Sequence, residues 1–184
     1  MNKIFTVLLV ALVMLGALGL LVAFNLDRQS VEDDRFPLII TAPDFKHEAL
    51  NGSTFQLSDH LGKVVILDLM GTWCVPCEQG AEEILLLLND PSLEIVVVSM
   101  SIYPLDTPEV LSEWVEERGM ANVDNWYWFA FGNDSLDLAD QLFDMKNSYL
   151  PKISLVDSNG DIRIRETGRE TAQTLKNWVL QYQL

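Results

Sequence analysis

From Val64 to Met70 the chain is an apolar run suited to the middle of a sheet, and four residues later it reaches Cys74-Val-Pro-Cys77. That motif opens a helical pattern from Pro76 to Asn89. A proline is tolerated in the first turn of a helix and Pro91 stands just past its end, so Cys74 falls at a helix N-terminus. A buried strand feeding a cysteine-headed helix leaves few folds open. Glu94 to Met100 repeats the buried-strand pattern, Thr107 to Arg118 reads as a helix stopped by Gly119, Trp126 to Phe131 as an aromatic strand and Leu136 to Phe143 as a short helix. Ahead of them, Thr54 to Leu57 alternates as a short strand after an Asn51-Gly52 turn.

Near the end, Ile153 to Val156 and Ile162 to Ile164 flank Asp157-Ser-Asn-Gly160, a hairpin turn sequence. The last helix places Ala172, Leu175, Trp178, Val179 and Tyr182 on one face. This order predicts an α/β domain with a central mixed sheet and helices on both faces. Within it, alternation assigns the cluster Trp126, Tyr127, Trp128 and Phe129 to core packing rather than to a partner-binding ledge.

Two cysteines cannot staple a domain of this size, and here they are three residues apart, so they serve chemistry or metal. Disulfide exchange needs one thiolate to attack and a second thiol near enough to resolve the mixed disulfide. A helix start favours negative charge and can lower a thiol pKa from ~8.5 to between ~3.5 and ~7.5. Cys74 is assigned the attack, at the exposed end, and Cys77, one turn inward, the buried resolving role. Zinc is the alternative, but it wants four ligands, and His47 and His60 lack ligand spacing. Neither metal nor cofactor is expected. A single Asp68 inside the apolar run is costly to bury charged, so its pKa should rise and make it a usable proton acceptor. The alternative places it outward on a half-exposed strand.

Ile4 to Phe24 is an uncharged stretch of 21 residues, about 31 Å as a helix at ~1.5 Å per residue, and matches a ~30 Å hydrocarbon core. Residues 1–25 therefore read as a transmembrane anchor, residues 26–35 as a polar linker and 36–184 as the folded domain. A cleaved signal peptide is the alternative, weakened by the length of the apolar stretch. Lys3 and the terminal amine stand before this stretch while Arg28 and Arg35 follow it, so basic residues orient it poorly. The short N-terminal tail favours a domain on the extracytoplasmic side. With 27 acidic and 12 basic residues the net charge is -15, which repels nucleic acid and anionic lipid.

Gly71-Thr-Trp-Cys-Val-Pro-Cys77 resembles the active site of the thioredoxin superfamily. Ala42-Pro-Asp-Phe45, Leu57-Ser58 and Gly62-Lys-Val-Val65 are similar to the lead-in of its membrane-anchored TlpA and ResA-like branch. The resemblance implies a thioredoxin-like fold from about Phe36 onward. It also implies that Trp73 shields the nucleophile, that Pro76 sets the redox potential, and that Asp68 is the buried acid that helps deprotonate Cys77. Pro151 matches the family's cis-proline, which with Leu150 before it offers backbone groups to a bound peptide. An ordinary trans proline at a strand start is the alternative. Several residues depart from the pattern: Leu150 and Lys152 around the proline, Glu78 where a basic residue often follows the pair, and Glu82 where a proline usually kinks the helix. An acid next to Cys77 disfavours thiolates, so only a modest lowering of the Cys74 pKa is expected.

The function implied is a membrane-tethered thiol-disulfide oxidoreductase acting on protein disulfides, such as those of apocytochrome c or metal-site assembly factors, and reset by a transmembrane electron carrier. An oxidase of the same fold differs only in potential, where about 30 mV is worth ~1.4 kcal/mol. A tethered binding module with an inert disulfide is the reading from outside catalysis. A peroxidase would need Pro-x-x-x-Thr-x-x-Cys, and the proline is missing; a copper-delivery module of the Sco kind would need C-x-x-x-C and a distant histidine.

Overall fold

A computed structural model describes residues 40–183 apart from Ser148. The strands are β1 (Ile40–Thr41), β2 (Lys46–Glu48), β3 (Thr54–Gln56), β4 (Val64–Met70), β5 (Ile95–Ser101), β6 (Trp126–Phe129), β7 (Lys152–Val156) and β8 (Asp161–Thr167). The helices are α1 (Val75–Leu88), α2 (Pro108–Glu117), α3 (Ser135–Leu142) and α4 (Ala172–Tyr182). Among the described residues no helix is long and apolar enough to cross a membrane, and the proposed anchor and linker lie outside those residues.

Strand β4 is buried at every position, as an apolar run between two neighbours must be. It sits inside a sheet ordered β1-β8-β7-β4-β5-β6, parallel to β5 and antiparallel to β7. Alternation along β4 divides the core. Ile66 and Met70 face a cluster with Ile84 of α1, Trp114 of α2 and Leu175 of α4, whereas Val65, Leu67 and Leu69 face one with Leu142 of α3 and Phe55 of β3. The sheet is mixed and covered on both sides, so the expected thioredoxin-like layering is present. Trp126 and Trp128 stack at 4.6 Å inside the first cluster, and Phe129 is buried in the second, so the aromatic strand belongs to the core.

Helix α1 buries Cys77, Ala81, Ile84 and Leu87 on one face, the spacing of a single helical stripe. With Glu82 in place of a kinking proline it continues unbroken to Leu88. Helix α4 lies against it and the two are tied at their ends: the Glu83 carboxylate accepts from the Ala172 N–H at 2.9 Å, and Lys176 Nζ donates to Asp90 at 2.6 Å. The Thr171 hydroxyl accepts from the Thr174 N–H and caps α4.

Several boundaries differ from the sequence reading. The strand expected over Thr54 to Leu57 stops at Gln56, because the Asp44 carboxylate accepts from the Ser58 N–H at 2.9 Å and the chain turns into a short 3-10 segment, Leu57–His60. The aromatic strand ends at Phe129 rather than Phe131, whose N–H donates to the Asp106 carbonyl. Strand β8 runs to Thr167, with Ile162 and Ile164 buried and Arg163 and Arg165 turned away. β1 and β2 were not anticipated, being too short to carry a period. The hairpin turn forms as expected: the Asp157 carboxylate accepts from the Asn159 and Asp161 N–H groups, and Gly160 takes φ +89°, a conformation that glycine adopts without steric cost.

Candidate active site

Cys74 is the N-cap of α1, with extended backbone angles, and it is joined to Cys77 by a disulfide. Its carbonyl accepts from the N–H groups of Cys77 and Glu78, and its Sγ accepts from the Cys77 N–H at 3.2 Å. The pair thus sits where unpaired helix N–H groups and the dipole favour negative charge. The sequence places Cys74 at an exposed end. In the disulfide form its side chain instead turns inward to Cys77 and is 3% exposed, while its neighbours Trp73 and Val75 are 61% and 64% exposed.

Trp73 packs across Gly71 so closely that a Cβ there would lie 2.9 Å from the indole Nε1. Its ring meets Tyr103 edge-on at 6.0 Å. An open groove beside it is lined by Thr72, Trp73, Val110, Glu113, Trp114 and Arg118. Pro76 is exposed in the first turn.

Asp68 is buried, on the face of β4 that carries Ile66 and Met70 into the cluster holding both cysteines. The outward-facing alternative is therefore wrong. Its Oδ2 accepts from the Ser99 hydroxyl at 2.9 Å, and burial pushes its pKa up to about 7, against the lowering effect of that hydrogen bond. Ser99 is the register partner of Asp68 on β5, and no sequence pattern marks it.

The Leu150–Pro151 bond is cis. Pro151 approaches α1 at Gly80, where a Cβ would come 3.9 Å from its ring, so the proline sits beside the cysteine helix. Its carbonyl accepts from the Gly168 N–H at 2.9 Å and is committed within the protein. Leu150 is half-buried and packs against both core clusters. Lys152, next in line, is buried, with Nζ donating to Asn147 Oδ1 and Thr167 Oγ1; burial lowers its pKa and Asp144 opposes the shift.

Glu78 stands beside Cys77 but is not an isolated acid. Arg118 Nε donates to its Oε1 at 2.9 Å, and the guanidinium lies 4.3 Å from the Trp114 ring centroid. The charge that disfavours a thiolate in the sequence is therefore offset by a cation at the C-terminal end of α2.

Asp106 was not singled out from the sequence. It is buried, and its carboxylate accepts from the Thr72 N–H at 2.9 Å, the Thr72 hydroxyl at 2.5 Å and the Ser101 hydroxyl at 2.5 Å. These bonds clamp the turn immediately before Trp73 and Cys74 to the loop after β5. Among the described residues no group of three or more His, Cys, Asp and Glu side chains could hold a metal ion. His47 and His60 lie on the other side of the sheet, stacked on Phe129 and Phe55.

A cysteine pair at a helix start, a buried acid on the strand face turned toward their cluster and a cis-proline beside the cysteine helix define a thioredoxin-like thiol-disulfide oxidoreductase. The AhpC/TSA family model matches residues 40–165, and the chain belongs to that family. The chain is 29% identical over 174 residues to thiol-disulfide oxidoreductase ResA of Geobacillus kaustophilus (strain HTA426), covering 91% of this chain and 88% of that protein, and is ResA-like. Two solved structures share the fold. A thioredoxin family thiol:disulfide interchange protein from Chlorobium tepidum TLS superposes with TM-score 0.64 at 14% identity, over 81% of this chain and 98% of that one. A SCO1/SenC family lipoprotein from Bacillus anthracis str. Ames gives TM-score 0.66 at 20% identity, over 80% and 98%.

Proposed function

We propose that this protein is a reductase of protein disulfides outside the cytoplasm, held at the membrane by residues 1–25 through a linker at 26–35, with residues 36–184 as the working domain. The observation that carries the exchange chemistry is Asp68, a buried carboxyl with a pKa of about 7 on the face of β4 whose Ile66 and Met70 join the cluster holding both cysteines. The likeness to ResA supports the chemistry, and the uncharged stretch Ile4 to Phe24 supports the tether.

In the forward reaction the Cys74 thiolate attacks one sulfur of a substrate disulfide, forming a mixed disulfide and releasing one substrate thiolate. Cys77 passes its proton to the Asp68 carboxylate and attacks Cys74 Sγ. The Cys74–Cys77 disulfide forms, the second substrate thiolate leaves, and two electrons have moved from the pair to the substrate. Deprotonating a thiol inside the apolar cluster calls for a base that is itself buried, and a carboxyl poised near neutrality serves in either direction. Trp73 shields the nucleophile and walls the groove in which the substrate lies. Pro76 tunes the potential from within the motif. Leu150 and Pro151 hold the substrate backbone, through groups other than the Pro151 carbonyl that Gly168 occupies. The substrates are protein disulfides of the apocytochrome c or metal-site assembly kind, and a transmembrane electron carrier resets the site, since the chain has no further cysteine.

The peroxidase pattern does not fit this chain: Leu67 and Gly71 stand where Pro-x-x-x-Thr-x-x-Cys needs proline and threonine. The deciding experiment is the equilibrium reduction potential of the Cys74–Cys77 pair against a glutathione or dithiothreitol buffer. A value at or below about -250 mV is expected for a reductase, and one near about -120 mV would make the protein an oxidant. Failure to turn over insulin disulfide at any potential would leave a tethered binding module.

A further inference from the structure

Among the described residues Asp68 has no charged partner, so what fixes its carboxyl comes from neutral groups. Its register partners are Ser99 on β5 and Ile153 on β7, and the face of β4 it shares with Ile66 and Met70 looks into the cluster that holds Cys77 of α1, a titratable thiol once the disulfide is reduced. Burial and the Ser99 hydrogen bond are the influences on its ionisation, and no charged side chain is among them. Ser99 is itself held. The Trp126 indole Nε1–H donates to Ser99 Oγ at 2.9 Å, and Ser99 Oγ donates to Asp68 Oδ2 at 2.9 Å. All three side chains are buried.

The direction of this chain follows from the chemistry of its ends. An indole N–H can only donate. It therefore occupies a lone pair of the Ser99 oxygen and leaves the hydroxyl hydrogen for Asp68. Without Trp126 the hydroxyl is free to rotate; with it, the hydrogen is aimed at Oδ2. We propose that Trp126 and Ser99 are positioning residues for Asp68, a fixed donor relay that holds one carboxylate oxygen and leaves Oδ1 as the oxygen that takes and returns the proton. The relay stabilises the ionised carboxylate against burial, and so keeps Asp68 able to act as a base near neutral pH. Trp126 also lines a cleft of about 150 Å³ with Leu50, Ser112 and Trp128, so the outer end of the relay meets the surface on the side of β6.

This inference rests on Asp68 being the proton acceptor, and the test separates the two ideas. In the oxidised full-length protein the cysteines do not titrate, so the Asp68 carboxyl can be followed alone by its ¹³C chemical shift against pH. Ser99→Ala is expected to raise the midpoint by roughly one pH unit, the scale on which a hydrogen bond to a carboxylate acts. Trp126→Phe should move it the same way by less, and Ser99→Thr, which keeps the hydroxyl, should return it to the wild-type value. A midpoint unchanged in both Ser99→Ala and Trp126→Phe overturns the relay, and so does an equal rise in Ser99→Thr. The acceptor role is read separately, from the pH dependence of mixed-disulfide resolution in Asp68→Asn. A profile unchanged there sinks the acceptor reading while the midpoint shifts still decide the relay.

Discussion

In the unfolded chain Asp68 loses its proton around its ordinary pKa of 3.8, whereas in the folded protein burial holds the proton until about pH 7. Between those values the folded state binds more protons than the unfolded one, so this residue's contribution to stability is greatest below 3.8, falls as pH rises, and is level above about 7. The total loss is at most about 4 kcal/mol, at ~1.36 kcal/mol per pKa unit. Asp68→Asn removes the titration, so the difference in urea-unfolding free energy between mutant and wild type should change steadily from pH 4 to pH 7 in the mutant's favour. A flat difference would mean that Asp68 is ionised in the fold. Asp68 was legible in the sequence because a lone acid in an apolar run has few explanations. Ser99 and Trp126 were not, since a serine in a strand and a tryptophan in an aromatic cluster carry no mark of what they face across a sheet.

At the scale of elements, β4 and α1 were legible within a residue or so because each carries a clear period and a clear stop. The loop from Ile102 to Thr107 was not, because its work is done by Asp106 on Thr72, 34 residues earlier in the chain. No local pattern encodes a contact of that span. Asp106→Ala should leave the Thr72 N–H, the Thr72 hydroxyl and the Ser101 hydroxyl without their acceptor, costing on the order of 3 kcal/mol in chemical unfolding and slowing insulin reduction together. Asp106→Asn, which keeps one acceptor oxygen, should fall between Ala and wild type. Loss of stability with reduction unchanged would show that the turn before Cys74 holds itself. Glu78 is the opposite case: its charge is plain in the sequence, but its partner Arg118 is 40 residues away, so the sequence shows the acid without the cation that offsets it.

For the whole molecule, mixed-sheet layering followed from the order of strands and helices, while the division of the core into two clusters depended on strand register that composition does not carry. The tie between α4 and α1 concerns anyone who cuts or extends this chain. A chain stopped at Gly168 would keep the entire cysteine motif and lose Leu175 and Val179 from the core, along with the Glu83 and Asp90 anchors. It should lose several kcal/mol of stability, since each large aliphatic side chain buried contributes about 1.5–3 kcal/mol, and circular dichroism should show an early melt. The reactive loop is thus braced from the far end of the polypeptide. A reporter or affinity handle inserted ahead of Thr171 would loosen the very helix it was meant to report on, whereas one placed after Tyr182 would leave the brace intact.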